Sequence, residues 1–207
     1  NINIITRKDV TYPELFRIHI MFGFLKNLFK KDTTEETKVA SNITEVSKSE
    51  ATQTTKTFKL VAPITGKSLP LSETPDPVFA QKMAGDGLAM MPEADVVVAP
   101  ADGELTLVFN TKHAFAMTLE NGVELLVHIG IETVTLNGEG FEQLAEAGTK
   151  VKAGDPIIKI DREFIKSKGL PLTTPVLITN PDILKSITPV ENVATVAGET
   201  TVLEYTI

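Results

Sequence analysis

The 207-residue sequence has no cysteine and no tryptophan, and only three histidines and two tyrosines. Without thiols there can be no disulfide, no zinc–thiolate centre and no cysteine nucleophile, and nothing in the chain requires an oxidising compartment. A cytoplasmic setting is therefore expected. Cations are also in the minority, with 20 Lys and Arg against 27 Asp and Glu and a net charge of −7. That balance excludes a broad nucleic-acid-binding surface, which needs clustered Lys and Arg to neutralise phosphates. No apolar run reaches the ~18 residues that would suit a membrane-spanning helix, and the N-terminus lacks a secretory h-region followed by a small-residue cleavage site. What remains is a chain that is 42% hydrophobic, enough for one packed domain plus an extension.

Residues 1–20 show no sustained period and run into Met21, which reads as the natural start, with the preceding stretch a non-native or mis-started leader. In "MFGFLKNLFKKD", Met21, Phe24, Leu25, Leu28 and Phe29 recur at helical spacing while Lys26, Asn27, Lys30 and Lys31 take the other face. Residues 21–31 are expected to form a basic amphipathic helix that contacts an anionic membrane surface peripherally. Residues 32–56 are rich in Thr, Ser, Glu and Lys. Such a segment buries too little apolar surface to offset its ordering entropy and reads as a linker. The folded domain is expected over residues 57–207.

Within it, short β-branched runs stand between turn residues: "FKLVAP", "DVVVAP", "ELTLVF", "AFAMTL", "VELLVHIGI", "PIIKI", "PVLITN", "ATVAG" and "TVLEYTI". This pattern indicates an all-β fold, an antiparallel sandwich or barrel-like arrangement. Short helices are expected at Pro77–Met83, Gly140–Ala147, Arg162–Lys168 and Asp182–Ser186. "VAPITG" at 61–66 returns as "VAPADG" at 98–103, consistent with a duplicated β unit.

Outside the leader, which carries His19, the histidines are His113 and His128, separated by "AFAMTLENGVELLV". Asn121-Gly122 predicts a hairpin with a two-residue type I′ turn. That register sets His113 opposite Gly130 and His128 opposite Phe115, so the two imidazoles become diagonal neighbours, about 7–8 Å apart along the backbone. Gly130 then leaves a side-chain vacancy beside His113, while Phe109, Thr111 and Leu126 continue the same face. Val123, Leu125, Val127 and Ile129 point to the core. Three chemistries suit such a pair: an imidazole nucleophile accepting a phosphoryl group, half of a zinc site completed by a carboxylate such as Glu132, or an acid–base couple. The spacing by itself does not choose among them.

The segments "APITG", "PDPVFAQKMAGDGLAMMP", "VVAPADGELTLVFNTKHAF", "GVELLVHIGIETVTLNGEGF", "GTKVKAGD" and "LTTPVLITN" occur in order from about Phe58 onward. In them the chain resembles the glucose-class enzyme IIA proteins of the bacterial phosphoenolpyruvate-dependent sugar phosphotransferase system. The resemblance implies an antiparallel β-sandwich built as a duplicated hybrid motif, and a phosphocarrier function. It implies that His128 accepts a phosphoryl group from a histidine-phosphorylated carrier protein and passes it to the cysteine of a IIB domain. By the same resemblance His113 stabilises the phosphoryl group, Thr111 orients His113, and Val78, Phe79, Phe109, Leu126 and Glu132 belong to the docking surface. Leu126 stands where an aromatic is common and Glu132 where an Asp is familiar. No cofactor is expected to be required. Regulatory partners are implied for the unphosphorylated form, with zinc bridging His113, His128 and a partner's carboxylate. His titration near neutrality is expected to assist transfer.

Two other classes fit less well. A lysostaphin-like zinc peptidase needs three protein ligands and a His-x-His pair, where "VHIGIE" has one His. A biotinyl- or lipoyl-type carrier presents a Lys at a hairpin tip, where this chain has Glu120-Asn121-Gly122. A binding protein that has lost the relay is countered by the presence of both histidines and Thr111. For the amphipathic segment, deleting residues 1–31 is expected to abolish co-sedimentation with vesicles containing anionic lipid. Undiminished sedimentation of the shortened chain would place the membrane contact elsewhere.

Overall fold

A computed structural model describes residues 56–207. The expected leader at 1–20, helix at 21–31 and linker at 32–56 lie outside the described residues, Lys56 excepted. The largest sheet has eight strands in the order β13 (Ala194–Thr195), β2 (Gly66–Pro70), β3 (Asp86–Pro92), β11 (Thr174–Ile178), β7 (Glu124–His128), β6 (Ala114–Thr118), β5 (Gly103–Val108) and β9 (Thr149–Val151). A second sheet orders β1 (Thr57–Val61), β14 (Thr201–Thr206) and β12 (Ser186–Pro189). A third orders β4 (Val96–Val98), β10 (Pro156–Ile160) and β8 (Phe141–Gln143). Every pairing is antiparallel, and the fold is the antiparallel β-sandwich that the short β-branched runs indicate.

Period-2 alternation places one side of the large sheet in the core: Leu105, Phe115, Met117, Leu125, Val127, Val176, Ile178, Leu88 and Met90 are all essentially inaccessible to solvent. Against them pack Leu60, Val202 and Tyr205 of the second sheet and Val97, Phe141, Ile158 and Ile160 of the third. The central strand β11 is buried at every position, because Pro175 and Leu177 on its other side are covered as well.

The repeated "VAP" segments meet. The Val61 N–H donates to the Pro100 carbonyl at 2.8 Å, and the Val98 N–H donates to the Pro63 carbonyl at 2.7 Å. The Ala62 and Ala99 carbonyls then accept from Gly198 and Gly154 respectively, each at 2.9 Å. Corresponding positions of the repeat thus exchange equivalent bonds, which is what a duplicated unit folded back on itself produces.

Two expected helices form nearly as read. Helix α1 (Pro77–Ala80) has Asp76 at its N-cap, whose Oδ1 accepts from the Val78 N–H at 2.7 Å, and Pro77 at the position where a missing N–H costs nothing. Helix α2 (Arg162–Ser167) is capped by Asp161, which accepts from the Phe164 N–H at 2.9 Å. The helix expected at Gly140–Ala147 is absent: Phe141–Gln143 is β8, paired with Ile158–Ile160, and Phe141 enters the core. Tertiary pairing overrides helical spacing there. Asp182–Ser186 is likewise corrected to a 3-10 turn at Pro181–Ile183, after which β12 begins.

Thr74 follows the 3-10 turn Leu71–Glu73, is 4% exposed, and its hydroxyl has no hydrogen-bond partner among the described residues. A buried hydroxyl left unpaired costs on the order of 1–3 kcal/mol. Thr74→Val is therefore expected to raise stability by about 1 kcal/mol in urea denaturation; a lower midpoint would show that the hydroxyl is paired in solution.

Candidate functional site

The β6–β7 hairpin carries the histidines, with a register one residue away from the expected one. His128 pairs with Ala114, Val127 with Phe115 and Leu126 with Ala116. The loop is the three residues 120–122, closed by the Leu119 N–H on the Val123 carbonyl at 2.8 Å. Gly122 has φ +82° while Asn121 is not left-handed, so the turn is not type I′. Asn121 is otherwise engaged: its Oδ1 accepts from the Val123 N–H at 3.2 Å and its Nδ2 donates to the Tyr205 hydroxyl at 2.9 Å.

One consequence is that Phe115 lies in the core and not beside His128. His128 lies on the opposite side of the sheet with Ala114, Ala116 and Leu126. His113 comes to it by another route. It precedes β6 at the end of the β5–β6 connection, in which the Lys112 N–H donates to the Phe109 carbonyl at 2.7 Å and Lys112 is left-handed at φ +55°. This turn brings the two imidazoles edge to face with centroids 4.9 Å apart, closer than a diagonal pair across regular strands.

Each ring is oriented through Nδ1. On His113 it meets the Thr111 hydroxyl at 2.6 Å. On His128 it lies 2.8 Å from the Gly130 carbonyl, which can only accept. The proton of His128 therefore sits on Nδ1 and Nε2 carries the lone pair. Gly130 is where sequence reading missed a functional group. It is no vacancy: at φ +71° an added Cβ would stand 2.6 Å from Thr133 Cγ2 and 2.9 Å from the Pro171 carbonyl. Only glycine allows the backbone to bend there, and "HIG" was the available signal.

Phe79 of α1 packs on the His128 ring with centroids 5.0 Å apart, and Phe109 meets His113 edge-on at 5.2 Å. Val78, Phe79 and Leu126 are buried, Phe109 and Thr111 are half-buried, and Glu132 is exposed in a left-handed conformation. The histidines thus share an apolar enclosure, and the carboxylate that acts on His128 is that of Asp76. Among the described residues no three His, Asp or Glu side chains converge as a metal site, so a zinc ion on this pair would need further ligands from outside those residues.

A profile of the family described as "phosphoenolpyruvate-dependent sugar phosphotransferase system, EIIA 1" matches residues 58–184. A glucose-specific EIIA component from Staphylococcus epidermidis is 45% identical over 157 residues, covering 76% of this chain and 95% of that one. The same-named protein of Bacillus cereus is 47% identical over 147 residues, covering 71% and 89%. A glucose-specific EIIBCA component of Corynebacterium glutamicum is 50% identical over 133 residues, which span 64% of this chain and 20% of that longer one. Among solved structures, the glucose permease IIA from Mycoplasma capricolum matches with TM-score 0.67 and 36% identity over 72% of this chain and 96% of that one.

Electrostatically, the expectation of titration near neutrality is overturned. Burial, with a smaller contribution from the neighbouring His128, lowers the His113 pKa from 6.5 to about 3. Burial also lowers that of His128, against smaller opposing effects led by the Gly130 carbonyl and then the Asp76 carboxylate. Both rings are neutral at pH 7. Between about 3 and 6.5 the unfolded chain binds a proton at residue 113 that the folded chain refuses, so stability falls as pH falls through that window. His113→Gln should flatten the loss of urea stability from pH 7 to pH 5 by about 2 kcal/mol. An unchanged pH slope would mean that His113 is protonated in the folded state.

Proposed function

The chain belongs to the EIIA 1 family of the phosphoenolpyruvate-dependent sugar phosphotransferase system, and on that premise we propose that its domain is a phosphocarrier with His128 as the phosphoacceptor. The observation that carries this reading is the Nδ1–H of His128 held on the Gly130 carbonyl, which leaves a neutral Nε2 free to attack. The N–P bond of a phosphohistidine on a donor carrier protein breaks as one forms to Nε2 of His128. Onward transfer breaks that bond and forms an S–P bond on the cysteine of a IIB domain. In neither step does water receive the phosphoryl group, and the apolar cover of Val78, Phe79 and Phe109 restricts its entry.

His113 serves as donor to the phosphoryl oxygens. That role requires Thr111 to donate its hydroxyl proton to Nδ1, which leaves the proton of His113 on Nε2 beside its partner ring. Both imidazoles are neutral before transfer, so the incoming charge is met by a hydrogen bond and not by an imidazolium. The names of the relatives from Staphylococcus epidermidis and Bacillus cereus extend the proposal to glucose-type sugars, taken up through a permease whose IIB domain is the acceptor. The work is assigned to the cytoplasmic side, with residues 21–31 as a peripheral membrane contact.

A second, regulatory reading rests on the same atoms. In the unphosphorylated protein the Nδ1 atoms of both rings are engaged, and their Nε2 atoms could serve as two ligands of a zinc ion completed by a partner's carboxylate. No cofactor takes part in the relay itself.

The test is incubation with phosphoenolpyruvate, enzyme I and the carrier protein, followed by intact mass at neutral and acid pH. One acid-labile phosphate is expected on the unsubstituted chain and on His113→Gln, and none on His128→Gln. A label that survives His128→Gln, or a chain labelled at neither histidine, would falsify the assignment.

A further inference from the structure

The peptide joining Ile129 to Gly130 is held at both of its polar ends by buried threonines. Thr133 Oγ1 donates to the Ile129 carbonyl at 2.5 Å, and the Gly130 N–H donates to Thr174 Oγ1 at 3.4 Å. Carbonyl and N–H belong to one rigid plane, so the two contacts together oppose its rocking. Thr174 sends its own hydroxyl proton to the Leu172 carbonyl at 2.8 Å, which leaves a lone pair, not a proton, for Gly130. The next plane is held as well. Its N–H, from Ile131, donates to the Pro171 carbonyl at 2.9 Å, and its carbonyl is the Gly130 oxygen that receives His128 Nδ1.

Both threonines are fully buried, at 0% exposure. Valine would pack as well in either place, and a hydroxyl in a core costs free energy unless it is used. Resting on the reading of His128 as phosphoacceptor, we infer that Thr133 and Thr174 are positioning residues for the nucleophile. They fix the Ile129–Gly130 plane, the left-handed Gly130 turns the following carbonyl back toward the ring, and that carbonyl keeps the proton of His128 on Nδ1. Loosening either contact lets the proton move to Nε2, where it blocks attack. Neither threonine touches the phosphoryl group; both act through Gly130.

The test reads the tautomer directly, by imidazole 1H–15N correlation spectra of the full chain, alongside the rate of phosphoryl uptake from the phosphorylated carrier protein. His128 of the unsubstituted chain is expected as the pure Nδ1–H form. Thr133→Val and Thr174→Val are expected to give a mixture of tautomers and an uptake rate lower by about tenfold each, with Thr133→Ser and Thr174→Ser restoring both. A folded Val variant with an unchanged His128 tautomer overturns the inference. So does an Nε2–H form in the unsubstituted chain, a measurement that needs no variant to fold. If the tautomer shifts as expected but the unsubstituted chain takes no phosphate on His128, the carrier reading fails while the positioning of the ring stands.

Discussion

A histidine is a nucleophile only at the nitrogen that lacks the proton, and in this protein that choice is made by one backbone carbonyl. The bond from His128 Nδ1 to Gly130 commits the ring to a single tautomer, and much of the surrounding structure converges on keeping that carbonyl where it is. Gly130 adopts a backbone angle that no larger residue could take against Thr133 and Pro171. Residues from the 3-10 turn at Thr133–Leu136, from the approach to β11 and from His113 just before β6 all bond to the same short stretch. The site is therefore less a cluster of side chains than a backbone turn on which side chains depend.

The second constraint is burial. Two imidazoles pressed together under Phe79 and Phe109 would repel each other if both were charged, and both stay neutral because the enclosure offers little to solvate a cation. Neutrality suits the attack on a phosphoryl group proposed for His128. On that proposal, the enclosure would give a transferred group few charge-assisted bonds, and the phosphorylated state would gain less stabilisation than in a cationic pocket. A carrier benefits from that weakness, because a tightly held group is not handed on.

The rigidity needed for this comes from the frame. The two "VAP" segments exchange bonds reciprocally between Val61 and Pro100 and between Val98 and Pro63, which ties the second sheet to the start of β5. From there β5, β6 and β7 run as consecutive neighbours in the large sheet. Leu125 and Val127 lock one side of β7 into the core while Leu126 and His128 face the other. A one-residue slip would exchange these two sets, so core packing and site geometry are specified by the same alternation.

Much of the fold was legible because it is written in local patterns. All nine β-branched runs contain strands, and Asp76-Pro77 and Asp161 mark the starts of the two α-helices of the described residues. Among the strands that escaped notice, β3 reads "DGLAMMP" and β2 "GKSLP", and their pairing with each other and of β3 with β11 replaces the propensity they lack. The convergence of His113 and His128 was legible too, although the register that led to it was not the true one. The turn that joins the two strands is also held by a long-range bond from Asn121 to Tyr205, 84 residues away, which no reading of the dipeptide Asn121-Gly122 contains. The sequence alone determined the strand class, the aliphatic core side of β7 and the two candidate imidazoles, since composition and alternation are properties of neighbouring residues. Only the tertiary structure decided that the rings are buried and neutral, and that a glycine carbonyl selects which nitrogen of His128 carries the proton, because solvation and hydrogen-bond direction depend on what distant segments bring to the same point.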